Sequence, residues 1–165
     1  MAKRPPFDPY TILAALDRQR VAYVAIGSFA RIIRGAEELP DGLDIVPSLQ
    51  ERNLERLAEA LVDLEARGVD GGPVDFERPD AVIRAMSPAG ELNVVPRPGG
   101  TRGYDDLRRA ATREPLGRGL RPAVASTGDL ARMLAALGRE EDRPKLQALR
   151  QVAELERSIG VELTL

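Results

Sequence analysis

Apolar positions in the first half of the chain alternate between helical spacing and short, nearly continuous runs. Leu13 and Leu16 share one helical face behind an Asp8-Pro9 start, a favourable N-cap and first-turn pair. The apolar run over 21–26 ends at a glycine and predicts a buried strand. The elements predicted for this half are a helix from about Asp8 to Arg18, a strand over 21–26, a short helix over 29–34, a loop over 36–41, a strand over 43–47 and a helix from Ser48 to a stop at Arg67-Gly68.

The second half begins with an irregular connection, because residues 69–80 are rich in Gly, Pro and Asp. Two runs that flank a turn at 88–90 then predict a β-hairpin. The elements predicted here are strands over 81–87 and 91–95, a short helix over 104–113, a strand over 123–125, a helix capped by Ser126 or Thr127 that runs to Leu137, and a closing helix over 144–158. This alternation predicts an α/β (α+β) fold, with a small mixed sheet flanked by helices. We expect one domain over 1–165 with a C-terminal helical portion over about 126–160.

Composition narrows the chemistry that this chain can perform. Its hydrophobic content of 43% and charged content of 30% are ordinary for a domain with a buried core. The chain has no Cys and no His, which excludes thiolate nucleophiles, Cys-based zinc sites and Ser-His-Asp triads. Carboxylates, Lys, Arg, hydroxyls and a hard ion such as Mg²⁺ remain. The net charge of −2 predicts no general attraction to nucleic acid or membranes. With no signal-peptide pattern and no bilayer-spanning stretch, we expect a cytoplasmic protein.

One arrangement in the sequence suggests a chemical function. It consists of a strand, a Gly27-Ser28 turn, a short helix and a second strand that carries Asp44. Such a turn exposes backbone N–H groups and a hydroxyl that suit a triphosphate. A carboxylate on the adjacent strand can hold Mg²⁺ against those phosphates. Phosphoryl or nucleotidyl transfer needs little beyond this positioning and charge neutralisation, and it needs neither His nor Cys.

These segments resemble the nucleotidyltransferase superfamily, and more closely its small bacterial branch, which includes toxin-like members of abortive-infection and toxin–antitoxin systems. The resembling segments are 23–30 with Gly35, 43–47, 53–64, 90–98, 103–107 and 124–142. The resemblance implies a nucleotidyltransferase-like fold, an NTP as substrate and Mg²⁺ as cofactor. The site roles that it implies are catalytic and metal-binding carboxylates at Asp44 and Asp41, and nucleotide-binding residues at Gly27, Ser28, Asn93 and Arg139.

Three positions depart from the family's pattern. The first aspartate of its Asp-x-Asp pair falls on Gly42, its third aspartate on Asn93, and a lysine common in its C-terminal helix on Leu134. Asp44 alone stands on a metal-binding position of the motif, with Asp41 one residue before Gly42. Losing two of three carboxylates would lower a metal-assisted rate by roughly two to four orders of magnitude, because each ~1.4 kcal/mol is tenfold. A degenerate metal site is the simplest interpretation.

Three functions stay open at this point. The leading hypothesis is a nucleotidyltransferase-like protein with weak or no transferase activity that binds a nucleotide or another phosphate ligand. The second is an active Mg²⁺-dependent, toxin-like enzyme that transfers a nucleoside monophosphate to RNA or protein. The third is a non-catalytic scaffold or toxin–antitoxin partner that keeps the fold for its surface. None of the three involves a membrane.

The candidate residues also have purely structural interpretations, because turns and local ion pairs are common in any folded protein. The alternatives are an ordinary turn at Gly27-Ser28, an ion pair from Asp44 to Arg31 or Arg34, and a solvated face of local ion pairs at Arg139, Asp142 and Lys145. The distances between these side chains distinguish the two kinds of interpretation.

Overall fold

A computed structural model of the protein describes residues 6–72 and 81–164, the last four by backbone alone. In chain order the elements are α1 (Pro9–Arg18), β1 (Tyr23–Ile26), α2 (Gly27–Ile33), β2 (Leu43–Pro47), α3 (Glu51–Asp63), β3 (Ile83–Ser87), β4 (Gly90–Val94), α4 (Tyr104–Leu107), β5 (Thr112–Arg113), β6 (Ala123–Val124), α5 (Thr127–Leu137), a 3-10 turn (Glu140–Asp142) and α6 (Arg143–Thr164). The irregular connection predicted over 69–80 lies mostly outside the described residues. Within the described ranges, none of the helices combines the length and the apolar character needed to cross a bilayer.

Six strands of the described chain form one mixed sheet in the order β3-β4-β2-β1-β6-β5. β1 is antiparallel to β2 and parallel to β6, while β2 is parallel to β4. In this register Ile26, the last residue of β1, lies opposite Asp44, and Asp44 lies opposite Asn93. The sheet therefore brings the turn after β1 next to the carboxylate on β2 and the amide on β4.

The core is aliphatic and is built around β1, whose four residues are all buried. α1 packs against α3, and the buried faces of these two helices are the apolar stripes that their sequence spacing predicts. α2 packs against β2 and α5, and α5 packs in turn against α6. α6 buries Leu149, whereas residues 154–160 of the same helix are exposed.

Most predicted elements are confirmed within a few residues. β2 has the predicted bounds, and β3 and β4 form the predicted hairpin. Ser126, rather than Thr127, caps α5, because its Oγ accepts a hydrogen bond from the backbone N–H of Asp129 at 3.0 Å. The predicted mixed α/β fold, with helices packed on a small sheet and a C-terminal helical segment, is the fold observed.

The helix predicted over 104–113 is wrong in its second half. α4 has four residues, and Thr112 and Arg113 form β5, which pairs with β6. The guanidinium of Arg34 also donates a hydrogen bond to Thr112 Oγ1 at 2.8 Å. Contacts at the sheet edge therefore override the local helical preference of this segment.

α3 is shorter than the predicted helix at both ends. Its C-terminal stop is Glu65, which adopts a left-handed conformation with φ of 56°, and not the predicted Arg67-Gly68 pair. Arg67 instead forms a β-bridge with Met86 of β3, with both backbone hydrogen bonds at 2.8 Å. The extra turn of helix is lost because the backbone of Arg67 bonds to the sheet.

The side chain of Asn53 links α3 to the ends of two strands of the sheet through hydrogen bonds. Its Oδ1 accepts a hydrogen bond from the N–H of Ala22 at 2.7 Å, just before β1. Its Nδ2 donates to the carbonyls of Ala22 at 2.9 Å and of Ser48, just after β2, at 2.8 Å. Asn53 is buried, so water cannot easily replace these bonds.

We predict that Asn53→Ala lowers the free energy of unfolding by about 2–4 kcal/mol, because it leaves the N–H of Ala22 and the carbonyl of Ser48 without their partner, whereas the carbonyl of Ala22 keeps the N–H of Ser48. Urea denaturation measures this loss. Glu55→Ala, on the exposed side of the same helix, is the matched control and should change the value by less than about 0.5 kcal/mol. Equal losses in the two variants would contradict the role given to Asn53.

Candidate functional site

A cleft of about 750 Å³ opens where β1 ends and α2 begins. The cleft is lined by all the predicted site residues, namely Gly27, Ser28, Asp41, Asp44, Asn93 and Arg139. Its apolar wall is formed by four side chains of α5, namely Leu130, Met133, Leu134 and Leu137. The structure thus brings together one polar and one apolar surface, as small-molecule sites commonly do.

Asp44 lies at the centre of the polar surface and is partly buried. Its Oδ1 accepts a hydrogen bond from Asn93 Nδ2 at 2.8 Å, across the β2–β4 pair. Burial raises the pKa of Asp44 above its ordinary value, and the nearby carboxylates of Glu91 and Asp41 raise it further. The hydrogen bond from Asn93 and the charge of Arg31 act in the opposite direction. The ionised form of Asp44 therefore lowers the stability of the folded protein.

The two arginines considered as alternative ion-pair partners of Asp44 bond to other carboxylates. Arg31 forms a salt bridge with Glu38 at 2.7 Å, and Arg34 forms one with Glu114 at 2.7 Å. The ion-pair interpretation of Asp44 is wrong, since its hydrogen-bond partner is the amide of Asn93.

Gly27 is required by the position of Asp44. It has φ of +75°, a conformation that favours glycine. A Cβ at this position would lie 2.3 Å from Asp44 Oδ2, a contact that real side chains do not make. The glycine of the predicted turn therefore allows the backbone of α2 to approach the carboxylate, and the interpretation as an ordinary turn misses this contact.

Ser28 connects the start of α2 to the loop that precedes β2. Its Oγ accepts a hydrogen bond from the backbone N–H of Asp41 at 3.5 Å. Asp41 is exposed and lines the cleft, close enough to Asp44 to influence its pKa. Both residues line the polar side of the cleft.

Glu91 is a cleft residue that the sequence analysis missed. It is buried on β4, and its Oε1 accepts hydrogen bonds from Arg84 Nε at 3.0 Å and Nη2 at 2.9 Å. The two-residue period of a strand places Glu91 on the same face as Asn93, and that signal could have identified it. A Cβ at Gly42 would lie 2.8 Å from the Glu91 carbonyl oxygen and 3.0 Å from its Cβ. A carboxylate at position 42 therefore cannot be accommodated unless β4 moves.

The residues present do not fit a pair of divalent ions. Among the described residues there is no cluster of three or more acidic side chains arranged to hold a metal. Asp44 shares an oxygen with the Asn93 amide, and an amide N–H repels a cation. The Mg²⁺ predicted at Asp44 and Asp41 would have these two carboxylates in the cleft, while the third cleft carboxylate, Glu91, is already paired with Arg84.

Arg139 lies at one edge of the cleft and is engaged locally. Its Nε donates to Asp142 Oδ2 at 2.5 Å and lies 3.8 Å from Glu141 Oε1. Asp142 is buried, and Lys145 pairs with Glu38 at 3.4 Å; neither of them lines the cleft. Of the predicted group of three, only Arg139 reaches the cleft, and its charge is already shared with a carboxylate.

Arg34, just after α2, binds the opposite edge of the sheet. Its Nε donates to the Ala125 carbonyl at 3.0 Å, and its Nη2 donates to the Val124 carbonyl at 2.9 Å. Nη1 donates to Glu114 at 2.7 Å. One guanidinium thus connects the end of α2 to β6 and to the segment that follows β5.

Several solved structures share this arrangement of strands and helices. The lincosamide antibiotic adenylyltransferase LnuA, with lincomycin bound, aligns with a TM-score of 0.60 and 13% identity over 87% of this chain and 95% of that one. ANT(2″)-Ia in complex with adenylyl-2″-tobramycin aligns with a TM-score of 0.60 and 15% identity over 94% and 91% of the two chains. A candidate nucleotidyltransferase from Thermotoga maritima aligns with a TM-score of 0.59 and 14% identity over 87% and 90%.

These similarities establish the fold. Neither a protein-family model nor a curated protein sequence matches the chain. At identities of 13–15% the structural neighbours share an architecture with this protein, while the side chains of the site must be interpreted by themselves. The protein has the nucleotidyltransferase fold, as the resemblance predicts.

We predict that Asp44→Asn raises the free energy of unfolding at pH 7, because it removes a charge that burial disfavours. The folded-state pKa of Asp44 lies above its ordinary value, so its destabilising effect develops as the pH rises through the range between the two. The gain should therefore be absent at pH 3, where Asp44 is protonated in both states. Denaturation at both pH values tests this, with exposed Asp105→Asn as the control. A variant less stable than the wild type at pH 7 would overturn the prediction.

We predict that Gly42→Asp lowers the free energy of unfolding by about 1–3 kcal/mol and does not create tight metal binding, because the new Cβ displaces the backbone of β4. Denaturation and a Mn²⁺ titration followed by electron paramagnetic resonance measure the two effects. Gly128→Asp is the control, since a Cβ at Gly128 meets open space. Micromolar Mn²⁺ binding by an undamaged Gly42→Asp variant would show that position 42 can still complete a metal site.

Proposed function

We propose that the protein binds a nucleotide or another phosphate-bearing ligand in the cleft and has weak or no nucleotidyltransferase activity. The observation that carries this proposal is the hydrogen bond from Asn93 to Asp44 at the centre of the cleft. Asp44 is the single acidic residue on a metal-binding position of the motif. Its partner in this bond is the amide of Asn93, at a position where the resemblance expects another carboxylate.

The presence of Gly42 and Asn93 in the place of two motif carboxylates has a large expected effect on catalysis. Two divalent ions stabilise the attacking and leaving oxygens in metal-assisted transfer, and each contributes several kcal/mol. Without a carboxylate at Gly42 or Asn93, the loss is roughly two to four orders of magnitude in rate, at ~1.4 kcal/mol per factor of ten. A ligand can still bind, since binding uses the whole cleft surface and not the metal alone.

The volume and lining of the cleft support a ligand with one apolar part and one polar part. Its volume of about 750 Å³ lies within the range of small-molecule sites. Leu134, at the position where the resemblance expects a lysine, extends the apolar wall of α5. LnuA was solved with lincomycin, and ANT(2″)-Ia with adenylyl-2″-tobramycin, so proteins of this fold bind adenylyl-containing and antibiotic ligands.

One observation favours the alternative of an active transferase. Asp41 lies in the same cleft as Asp44, beside Ser28, and could supply a second carboxylate to a weakly held Mg²⁺. A toxin-like enzyme that modifies RNA or protein would need this pair. The toxin-like branch and an antitoxin partner stay predictions, and the transfer assay below tests the first of them through the acceptor.

We predict that nucleotides bind in the cleft and are not transferred. Isothermal titration with ATP, GTP, CTP and UTP should detect binding that EDTA does not abolish. Labelled nucleotides with Mg²⁺ or Mn²⁺ should leave tRNA, protein, tobramycin and lincomycin unlabelled. Label transfer that Asp44→Ala removes would establish the active alternative and overturn the proposal.

A pair of leucine variants locates the binding. Leu137 lines the cleft and is 57% exposed, whereas Leu155 is 60% exposed on α6, outside the cleft. Leu137→Glu should weaken nucleotide binding by about tenfold through lost apolar contact and charge repulsion, while Leu155→Glu should leave it unchanged. Equal binding by both variants would place the ligand elsewhere, and no binding by the wild type would leave the scaffold hypothesis.

A further inference from the structure

Arg31 is the arginine on α2, the helix that begins with the Gly27-Ser28 turn, and it lines the cleft. Its side chain is 12% exposed, and the guanidinium faces the carboxylate of Glu38 as a fork. Nε donates to Oε2 at 2.7 Å, and Nη2 donates to Oε1 at 3.0 Å. This bidentate geometry is the one that arginine also uses to bind phosphate.

Glu38 is placed so that it keeps its charge. Its side chain is only 7% exposed, and Lys145 of α6 lies 3.4 Å from its Oε1. The hydrogen bond from Arg31 holds the pKa of Glu38 below its ordinary value, since burial alone would raise it. Glu38 is therefore ionised at neutral pH and forms a shielded pair with Arg31.

The loop that carries Glu38 is attached to α2 at both ends. The N–H of Ala36 donates to the carbonyl of Arg31 at 2.9 Å, and the N–H of Asp41 donates to Ser28 Oγ at 3.5 Å. These two hydrogen bonds hold the loop against α2, so Glu38 stays beside Arg31.

We propose that Glu38 is a specificity-determining residue, because its carboxylate occupies the guanidinium of Arg31 in the place of a ligand phosphate. A phosphate group must displace Glu38 to use the Nε–Nη2 edge of Arg31, and at the remaining edge it meets a guanidinium whose charge Glu38 already balances, so the cleft discriminates against highly charged polyphosphates. The inference rests on the proposed function, in which the cleft binds a phosphate-bearing ligand. Glu38 acts through Arg31 and need not touch the ligand itself.

The test compares the affinity of wild type and Glu38→Gln for pyrophosphate and ATP by isothermal titration, without added metal. Glu38→Gln keeps the shape of the side chain and removes its charge, which frees Arg31 to bind a phosphate. We expect pyrophosphate to bind about tenfold tighter or more, the ratio that one charge-assisted hydrogen bond supplies. The double variant Arg31→Gln/Glu38→Gln should lose this gain.

Glu114→Gln is the matched control. Glu114 pairs with Arg34 at the same distance of 2.7 Å, at the end of the same helix, but neither residue lines the cleft. This variant should bind pyrophosphate as the wild type does. Glu38→Asp keeps the charge and withdraws it from Arg31 by one methylene, so it should show an intermediate gain if Glu38→Gln does not fold.

The outcomes separate this inference from the proposed function. Equal pyrophosphate affinity in wild type and Glu38→Gln, or a gain that persists without Arg31, would overturn the role of Glu38 and leave the proposed function standing. Binding by Glu38→Gln but not by wild type would support the role of Glu38 and contradict phosphate binding by the natural protein. Absence of binding in every folded variant would overturn both.

Discussion

The close approach of the Asp44 carboxylate to the backbone of Gly27 is the constraint on which the site depends. The β1–β2 register places Ile26 opposite Asp44, so the turn after β1 meets the carboxylate directly. A Cβ on Gly27 would lie 2.3 Å from Asp44 Oδ2, and a glycine is therefore the residue that this junction requires. The geometry of the polar surface follows from strand pairing, before any ligand is considered.

Charge balance inside the cleft follows from this geometry. Arg31, Arg84 and Arg139 each donate to a carboxylate of the protein, namely Glu38, Glu91 and Asp142. Asp44 is stabilised by an amide rather than by a cation. Because these three arginines are already paired, an anionic ligand must compete with carboxylates of the protein for them.

Local sequence signals predicted the elements, and pairing between distant segments determined the rest. The apolar spacing, the Ser126 cap and the Gly27-Ser28 turn are local features, and each is found where the sequence indicates. Glu91 was missed although the two-residue period of β4 places it on the same face as Asn93, while its contact with Gly42 depends on the pairing of β4 with β2, which lies far away in the chain. The alternative that paired Asp44 with Arg31 or Arg34 is not what the fold contains, because Arg31 bonds to Glu38 in the following loop and Arg34 bonds to Glu114, far away in the chain. Thr112 and Arg113 became a strand through contact with β6.

The hydrogen bonds of the Arg34 guanidinium affect local unfolding at the β5–β6 edge of the sheet. β5 and β6 have two residues each, too few for an edge to persist by its own ladder bonds. Arg34 supplies four further bonds, to the carbonyls of Val124 and Ala125, to Thr112 and to Glu114. Separation of β5 and β6 from the rest of the sheet therefore also requires Arg34, at the end of α2, to break these hydrogen bonds. We therefore expect local unfolding of the outer strands to be coupled to the end of α2 through the bonds of Arg34.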